Sequence, residues 1–435
     1  MSMVLVLGSG PVVRRFVERM RHHGDEQTVT VLTAEPETCV VEPEQHRVLT
    51  QVSGAEVAYS YDILVLAQEA RPVIPDIPGL TSGEGHLAEG VVAPATAAHT
   101  VRITGDTVVV LGEGPFAVET AGTLAARGLR TTLVCAAPHP LYEQLGETCS
   151  SMLSEKLEQA GISVVGGKSA LRRVPGHLLL EDDITLRADT LVLCTGTVPD
   201  TRLARDTGLD VHDGIVVDDR LRTSDPAIHA VGGCAEHDGR ITAGLHTALE
   251  QAEALAGILT GRPAVYRPRS AGLRLRSDAV EVSSIGSPAD WEQPGTRLVC
   301  LTDRVNQRYA RLALRDEYVV AAVLFGLPRA IATIGHLHRH GQRLPSDRLG
   351  LLLELPPRQT SGSTRVDDDA PICLCNNVSR QALLRAWQAG RRTVTALAAT
   401  TRATTGCGGC VQLVEELCDT WAQEPSDESE LEKAS

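Results

Sequence analysis

Two glycine turns, each between an apolar run and a helical pattern, constrain the fold of this chain most. The first, "MVLVLGSGPVV", places Gly8 and Gly10 after an apolar run, and the second, "TVVVLGEGPFAVE", places Gly112 and Gly114 about 104 residues later. In such a unit, backbone N–H groups approach a pyrophosphate at a helix N-terminus. Two copies predict an α/β fold with tandem Rossmann-like dinucleotide-binding domains. The alternative is that either turn is an ordinary βαβ connection without a ligand.

The first copy departs from the full motif at one position. A helical pattern follows from Val12 to His23, a second strand is predicted over 28–32, and Glu35 comes just after it. Glu35 is therefore placed to accept a hydrogen bond from a ribose hydroxyl. Val13 stands where the third glycine belongs. We expect a side chain there to push the helix off the strand or to block the phosphate.

The second copy keeps the G-x-G-x-x-A form, with Ala117 in the third position. Its helix is predicted to run to about Arg127, Gly128 ends it, and "RTTLVC" is the next strand. No acidic residue ends that strand, because Cys135 and Ala136 stand there. The sequence therefore does not choose between NADH and NADPH.

Four cysteines near the C-terminus have the spacing C-x-C, 31 residues, C-x-x-C. They are Cys373, Cys375, Cys407 and Cys410. Four thiolates on two tight turns can hold one compact iron–sulfur cluster. Zinc also binds four cysteines, but zinc fingers usually use two C-x-x-C pairs, and a motif without metal is a further alternative. Ser379 and Thr393 are predicted to cap two helices of the spacer, the first of which ends at Gly390.

Composition limits the partners and the compartment. The net charge is -14, which disfavours nucleic acid and anionic membranes as partners. No apolar run reaches the ~18 residues of a membrane span, and no signal-peptide pattern opens the chain. The remaining seven cysteines are scattered singly, unlike a disulfide framework, so we expect a reducing, cytoplasmic location.

Two further stretches carry a resemblance to a known family. They are "YSYDILVLAQEARPVIPDIPG" (59–79) and "ADTLVLCTGTVPDTRLARDTGLDVHDGIVVDDRLRTSDPAIHAVGGCAE" (188–236). With the glycine turns, they resemble two-dinucleotide-binding FAD/NAD(P) reductases of the assimilatory nitrate and nitrite reductase electron-transfer branch. The cysteine motif resembles the [2Fe–2S] domain of bacterioferritin-associated ferredoxin. The reductases' disulfide-reducing relatives use a cysteine pair near the first helix, where only Cys39 is present here, so dithiol chemistry is not expected.

The resemblance implies a domain order. It predicts an FAD-binding-like domain at 1–104 and 216–265, an inserted NAD(P)-binding-like domain at 105–215, an α/β C-terminal interface domain at 266–354, a linker at 355–370, a small helical [2Fe–2S] domain at 371–422 and an acidic tail at 423–435. A hairpin is expected at "LRDEYVV" within the interface domain. Interface domains of this kind often form dimers, so a homodimer is possible.

The resemblance also implies cofactor-binding residues. For FAD they are Gly8, Gly10 and Glu35, and for NAD(P)H they are Gly112, Gly114, Ala117, Glu119, Thr195 and Gly196. The FAD positions depart from the family pattern at Val13, at Gln68 and Glu69 (family "ATG") and at Gly233, where the family has a carboxylate. The residues thus leave two interpretations open. Either FAD binds through the remaining contacts, or the fold no longer holds flavin.

The implied function is electron transfer. Electrons from NAD(P)H would pass through FAD to the [2Fe–2S] cluster and on to a separate nitrate or nitrite reductase catalytic chain, with no side chain acting as nucleophile or base. The alternative is a flavin-free accessory subunit, in which the cluster alone is a relay or the chain is a scaffold for a catalytic partner.

Overall fold

The computed structural model describes residues 3–23, 28–33, 38–52, 54–83, 85–94, 102–241, 244–262, 265–267, 272–276, 280–353, 371–373, 378–404 and 410–423. The chain forms two compact units. The first unit is Met1–Pro140 with Gly161–Ala271, and the second is Leu141–Ala160 with Gly272–Ser435. None of the helices in the described part combines the length and hydrophobicity that a transmembrane span needs.

Eleven α-helices and two short 3₁₀ helices, Pro43–Gln45 and Gly232–Cys234, are present in these ranges, and the α-helices are numbered in chain order. They are α1 Gly10–His22, α2 Pro115–Ala126, α3 Tyr142–Gln159, α4 Arg202–Asp206, α5 Leu245–Leu259, α6 Pro288–Glu292, α7 Pro328–Arg339, α8 Arg348–Leu352, α9 Arg380–Gln388, α10 Val394–Thr401 and α11 Val411–Gln423.

The strands of the first unit are β1 Met3–Gly8, β2 Thr28–Leu32, β3 Cys39–Glu42, β4 Arg47–Val52, β5 Ala55–Ser60, β6 Ile63–Ala67, β7 Arg71–Pro72, β8 Val91–Val92, β9 Thr107–Leu111, β10 Arg130–Val134, β11 Ile162–Val165, β12 Ala170–Val174, β13 His177–Leu180, β14 Thr185–Arg187, β15 Thr190–Leu193, β16 Thr197–Val198, β17 Ile215–Val217, β18 Ile228–Ala230, β19 Ala235–His237 and β20 Arg240–Ile241. Those of the second are β21 Leu273–Arg276, β22 Glu281–Ile285, β23 Arg297–Asp303, β24 Arg308–Arg315, β25 Tyr318–Phe325, β26 Pro371–Cys373 and β27 Val378–Ser379.

The first glycine turn follows β1, a central strand of a four-stranded parallel sheet of order β18-β6-β1-β2. The apolar run 4–7 is buried on both faces of this sheet, which explains its continuous rather than alternating hydrophobicity. Leu7 pairs with Leu32 on one side and Leu66 on the other, so these strands end at one edge. Both predicted elements after the turn, a helix and a strand at 28–32, are confirmed.

The second glycine turn follows β9, the central strand of a parallel sheet of order β11-β10-β9-β15-β8. The helix α2 ends at Ala126, and Gly128 has a φ of 84°, as the sequence predicted. After this sheet the chain returns to the first one, where β18 pairs with β6. That return supports a discontinuous first domain. The exact domain bounds stay predictions.

The second unit contains an antiparallel sheet of order β21-β22-β25-β24-β23. Asp316 and Glu317 join β24 to β25, with φ of 50° and 69°, so the predicted hairpin is confirmed as a tight two-residue turn. The helix α3 also belongs to this unit. The carboxylate of Glu155 on α3 pairs with Arg304 at 2.7 Å.

The C-terminal segment of the second unit has three helices around its own core. Ser379 Oγ accepts a hydrogen bond from the Ala382 N–H at 3.2 Å, and Thr393 Oγ1 accepts one from the Ala396 N–H at 3.1 Å. Both predicted N-caps are therefore confirmed. The helix α9 ends before Gly390, whose φ is 88°.

Candidate functional site

The two glycine turns share one backbone geometry. A β-carbon on Gly8 would overlap the carbonyl oxygen of Ala67 at the end of β6. A β-carbon on Gly112 would likewise overlap the carbonyl oxygen of Cys194, directly after β15. The first glycine of each turn is therefore required for the helix-forming chain to pass so close to the neighbouring strand.

Each turn leads into a helix whose N-terminus can bind an anion. Ser9, the N-cap residue of α1, makes no side-chain capping hydrogen bond within the described part of the chain, and Gly114, the N-cap residue of α2, has no side chain that could make one. In α2, Pro115 has no N–H and the Ala117 N–H donates to the Gly114 carbonyl oxygen at 3.1 Å, so the Gly114 and Phe116 N–H groups are the ones that can point at a phosphate. In the second turn, the Ala117 β-carbon would lie only 3.1 Å from a β-carbon on Gly112. That close approach accounts for a small third residue.

The predicted Thr195-Gly196 turn lies at the same edge of the second sheet. It follows β15, which is the neighbour of β9. Thr195 Oγ1 donates to the Val73 carbonyl oxygen at 2.8 Å, and the Val73 N–H donates to the Gly196 carbonyl oxygen at 3.0 Å. Two hydrogen bonds therefore hold this turn in place beside the sheet edge where the glycine turn ends.

Glu119 lies one turn into α2, on the exposed face of the helix. Desolvation by the surrounding protein nonetheless raises the pKa of its carboxyl group. The structure thus brings together at one sheet edge the residues predicted for the nicotinamide nucleotide, Gly112, Gly114, Ala117, Glu119, Thr195 and Gly196. Their roles in binding stay predictions.

The turn residue Glu113 makes a contact that the motif does not specify. Its Oε2 accepts a hydrogen bond from the Ala137 N–H at 3.1 Å, beyond the end of β10. Burial of the Cys135 thiol raises its pKa to about 11, and the nearby Glu113 charge adds a smaller part of that rise. The Glu113 carboxylate therefore lies between the glycine turn and the end of the second strand.

The first turn differs from the second in what covers it. A β-carbon on Gly10 would overlap the carboxylate Oε1 of Glu69. Glu69 follows β6 and is exposed. Its carboxylate thus lies against the helix N-terminus where the pyrophosphate of a dinucleotide would approach. Two negative groups in that space repel each other, so a dinucleotide requires the Glu69 side chain to turn away.

Gln68, the residue before Glu69, carries an unsatisfied buried oxygen. Only 8% of Gln68 is exposed, and its Oε1 has no hydrogen-bond partner among the described residues. Buried side-chain oxygens in proteins are usually hydrogen-bonded, so a donor from a bound group would satisfy this one.

Two other departures have specific consequences. Val13 is 5% exposed and belongs to the same core as Phe16 and β1. Val13 is thus packed within the core beneath α1, and the expectation that it pushes the helix off the strand or blocks the phosphate stays a prediction. At Gly233, a β-carbon would lie 3.2 Å from the backbone nitrogen of Ala70. A carboxylate-bearing residue there would require Ala70 to move by a few tenths of an ångström.

Some predicted positions lie outside the described residues, and some functional features could not be predicted. Glu35, the proposed ribose ligand, lies outside them. The sequence identified Glu69 only as a departure from "ATG". Its position over Gly10 depends on how β6 ends beside the turn, and no local pattern encodes that. Cys39, the lone cysteine near α1, is buried in β3.

The cysteine motif is described in part. Cys373 is in β26, opposite Val378, and Cys410 directly precedes α11. Both are buried, with 0% and 5% exposure, in one core with Leu383 and Val414. Cys375 and Cys407 lie outside the described residues. Two of the four predicted ligands thus belong to the same small core.

Comparison with known proteins places this arrangement in a family. A family model for pyridine nucleotide-disulphide oxidoreductase matches residues 3–253, which include both glycine turns. The chain belongs to this family. A second model, for a BFD-like [2Fe-2S] binding domain, matches residues 371–419, so this pyridine nucleotide-disulphide oxidoreductase carries an iron–sulfur domain.

Two curated relatives extend the similarity over most of the chain. It is 30% identical over 386 residues to the nitrite reductase (NADH) large subunit of Escherichia coli strain K12, covering 86% of this chain and 45% of that protein. It is 27% identical over 408 residues to the assimilatory nitrate reductase electron transfer subunit of Bacillus subtilis strain 168, covering 90% of this chain and 51% of that protein. The chain therefore spans about half the length of these relatives.

Solved structures support the fold. An FAD-dependent pyridine nucleotide-disulphide oxidoreductase from Desulfovibrio vulgaris has a TM-score of 0.67 at 19% identity, with 96% of this chain and 100% of that chain covered. A putidaredoxin reductase in covalent complex with putidaredoxin has a TM-score of 0.66 at 20% identity, with 81% and 95% covered. The predicted α/β fold with tandem dinucleotide-binding domains is confirmed.

The family implies a pyridine nucleotide and FAD, and the two turns fit them differently. The second turn offers a backbone cradle, an uncapped helix N-terminus and open space around Gly114, where a β-carbon would meet nothing within 4 Å. A nicotinamide dinucleotide fits there. The first turn has the same cradle and the unsatisfied Gln68 oxygen. FAD fits it once Glu69 turns away, which the exposure of that side chain permits.

Proposed function

We propose that the chain is an electron-transfer component that oxidises NAD(P)H and passes electrons through a [2Fe–2S] cluster to a separate nitrate or nitrite reductase catalytic chain. The observation that carries this proposal is the second glycine turn, which keeps a complete dinucleotide cradle in a chain that also carries the four-cysteine motif. The names of the nitrite and nitrate reductase relatives support the choice of acceptor.

The residues of the second turn would bind and orient the coenzyme. N–H groups at the start of α2 would bind the pyrophosphate, and Gly114 leaves room for it. The Thr195-Gly196 turn, held by Val73, would limit the space at the neighbouring strand end. Cys373, Cys375, Cys407 and Cys410 would hold the cluster through four thiolates. FAD, when bound at the first turn, supplies the conversion from a two-electron hydride donor to one-electron transfer.

A second candidate function follows from the first turn. With Glu69 over Gly10 and no carboxylate at position 233, the chain would act without flavin, as a cluster relay or as a scaffold for its catalytic partner. No hydride oxidation is assigned to the chain in that case, because a [2Fe–2S] cluster accepts single electrons.

Cofactor content distinguishes the two functions. The full chain, purified without oxygen, is assayed for iron, acid-labile sulfide and released flavin per chain. We expect two irons, two sulfides and close to one FAD, with NADH bleaching the flavin absorbance. Two irons without flavin, and no binding after incubation with excess FAD, would reject electron transfer from NAD(P)H in favour of the accessory function.

The partner and the location rest on the same reasoning. We propose a separate catalytic chain as the acceptor because one relative is named an electron transfer subunit of a nitrate reductase. We propose that the component acts in the cytoplasm, in keeping with its scattered single cysteines. Homodimer formation through the antiparallel sheet of the second unit stays a prediction.

A further inference from the structure

The chain lacks the residue that normally selects between the two nicotinamide coenzymes. In dinucleotide-binding folds, an acid after the second strand accepts a hydrogen bond from the adenosine ribose, whereas a cation there accommodates the 2′-phosphate of NADPH. In this chain, β10 ends at Val134, and Cys135 and Ala136 follow it. Neither side chain can perform either role.

A carboxylate nevertheless lies at that place, supplied by the glycine turn instead of the strand. Glu113 stands between Gly112 and Gly114, and its Oε2 is 3.1 Å from the Ala137 nitrogen. The carboxylate therefore spans the gap between the turn and the segment after β10. This gap is where the adenosine ribose lies when the pyrophosphate rests on the turn.

A lysine lies close to the end of β10, but its side chain is already ion-paired within the chain. The backbone N–H of Lys168 donates to the Cys135 carbonyl oxygen at 3.3 Å, which brings residue 168 next to the end of β10. The Lys168 ammonium forms an ion pair with Asp182, and this hydrogen bond raises the pKa of the lysine. Its charge is thus directed to a carboxylate of the chain itself.

The two turns distribute their acids in opposite ways. The first turn has the neutral Ser9 at the position of Glu113, and its acid, Glu35, follows the strand. The second turn has its acid within the turn and none after the strand. By sequence order alone, each copy thus carries one acid that could serve its adenosine ribose, after the strand in the first copy and within the turn in the second.

We propose that Glu113 is the specificity-determining residue of the nicotinamide site and that it selects NADH over NADPH. Its Oε1, which has no hydrogen-bond partner among the described residues, accepts from a ribose hydroxyl, and its charge repels a 2′-phosphate. This inference rests on the proposed function, since it assumes that the second turn binds a nicotinamide dinucleotide.

The test measures binding rather than turnover. Isothermal titration calorimetry of the full chain with NAD⁺ and with NADP⁺ gives two dissociation constants and their ratio. We expect NAD⁺ to bind at least about tenfold more tightly, which corresponds to about 1.4 kcal/mol. In Glu113→Gln, NAD⁺ should bind a few-fold more weakly and NADP⁺ about tenfold more tightly, so that the ratio falls to within about threefold of one.

A matched variant controls for the loss of one negative charge. Glu147→Gln makes the same change at an exposed position on α3, and the ratio should stay as in the unmodified chain. The inference is overturned if the chain prefers NADP⁺, or if Glu113→Gln leaves the ratio unchanged while both nucleotides still bind. If neither nucleotide binds the unmodified chain, the proposed function fails together with the inference.

Discussion

Replacing Glu69 by glutamine should strengthen FAD binding, because the carboxylate lies where the pyrophosphate would approach Gly10. Two unit charges about 4 Å apart repel by about 1 kcal/mol in water and by about 4 kcal/mol at an effective dielectric constant near 20. Glu69 is exposed, so the lower part of that range applies. A gain of about 1–2 kcal/mol corresponds to about fivefold to thirtyfold tighter binding.

The assay is a titration of FAD into flavin-depleted chain, followed by quenching of flavin fluorescence. Glu69→Gln removes the charge and keeps the size, and Glu18→Gln makes the same change at an exposed position on α1. The difference between Glu69→Gln and the unmodified chain should shrink at high salt, since exposed charges are screened. Equal FAD affinities of Glu69→Gln and Glu18→Gln at low salt would refute the view that Glu69 obstructs the first turn.

Three further predictions concern other parts of the chain. Gly112→Ala should lower the free energy of unfolding by about 1–3 kcal/mol in denaturant titrations, because the new β-carbon would overlap the Cys194 carbonyl oxygen. Gly114→Ala, where a β-carbon meets nothing within 4 Å, should leave the stability unchanged and weaken NAD⁺ binding. Equal stabilities of these two variants would contradict the close approach at Gly112. Burial lowers the pKa of His229 from 6.5 to about 4, so the unfolded chain takes up a proton first as the pH falls. His229 alone should therefore lower the free energy of unfolding by up to about 1.4 kcal/mol for each pH unit between pH 6.5 and pH 4. Denaturant titrations at several pH values should show this contribution in the unmodified chain and in His177→Gln, which changes an exposed histidine, but not in His229→Gln. Cys373→Ser should reduce the iron content from two per chain to nearly none, whereas Cys418→Ser, outside the motif, should keep both irons; full iron in Cys373→Ser would remove Cys373 as a ligand.

Local patterns in the sequence predicted the elements that depend on neighbouring residues. The glycine turns at 8–10 and 112–114 follow from apolar runs that meet glycine, and the caps at Ser379 and Thr393 follow from the hydrogen bonds that hydroxyl side chains offer to a first helical turn. The Asp316-Glu317 hairpin follows from strand residues on both sides of a polar pair.

The contacts that decide the cofactor chemistry join residues distant in sequence, and local patterns do not specify them. Glu69 comes to lie over Gly10 because β6 pairs with β1 and ends beside it. Glu113 reaches Ala137 because β9 and β10 end together at the sheet edge. The sequence therefore identified both sites but not the carboxylates that modify them. The association of α3 with the antiparallel sheet of the second unit likewise joins residues distant in sequence, so local patterns did not predict it.

The delivery of electrons from NADH to the cluster tests the proposed function most directly. The anaerobic chain, reconstituted with FAD, is mixed with NADH and frozen, and the electron paramagnetic resonance signal of the reduced [2Fe–2S] cluster is compared with that after dithionite. The account predicts that NADH produces most of the dithionite signal and that Cys373→Ser produces none. A cluster that dithionite reduces and NADH does not, in a chain that holds FAD, would contradict it.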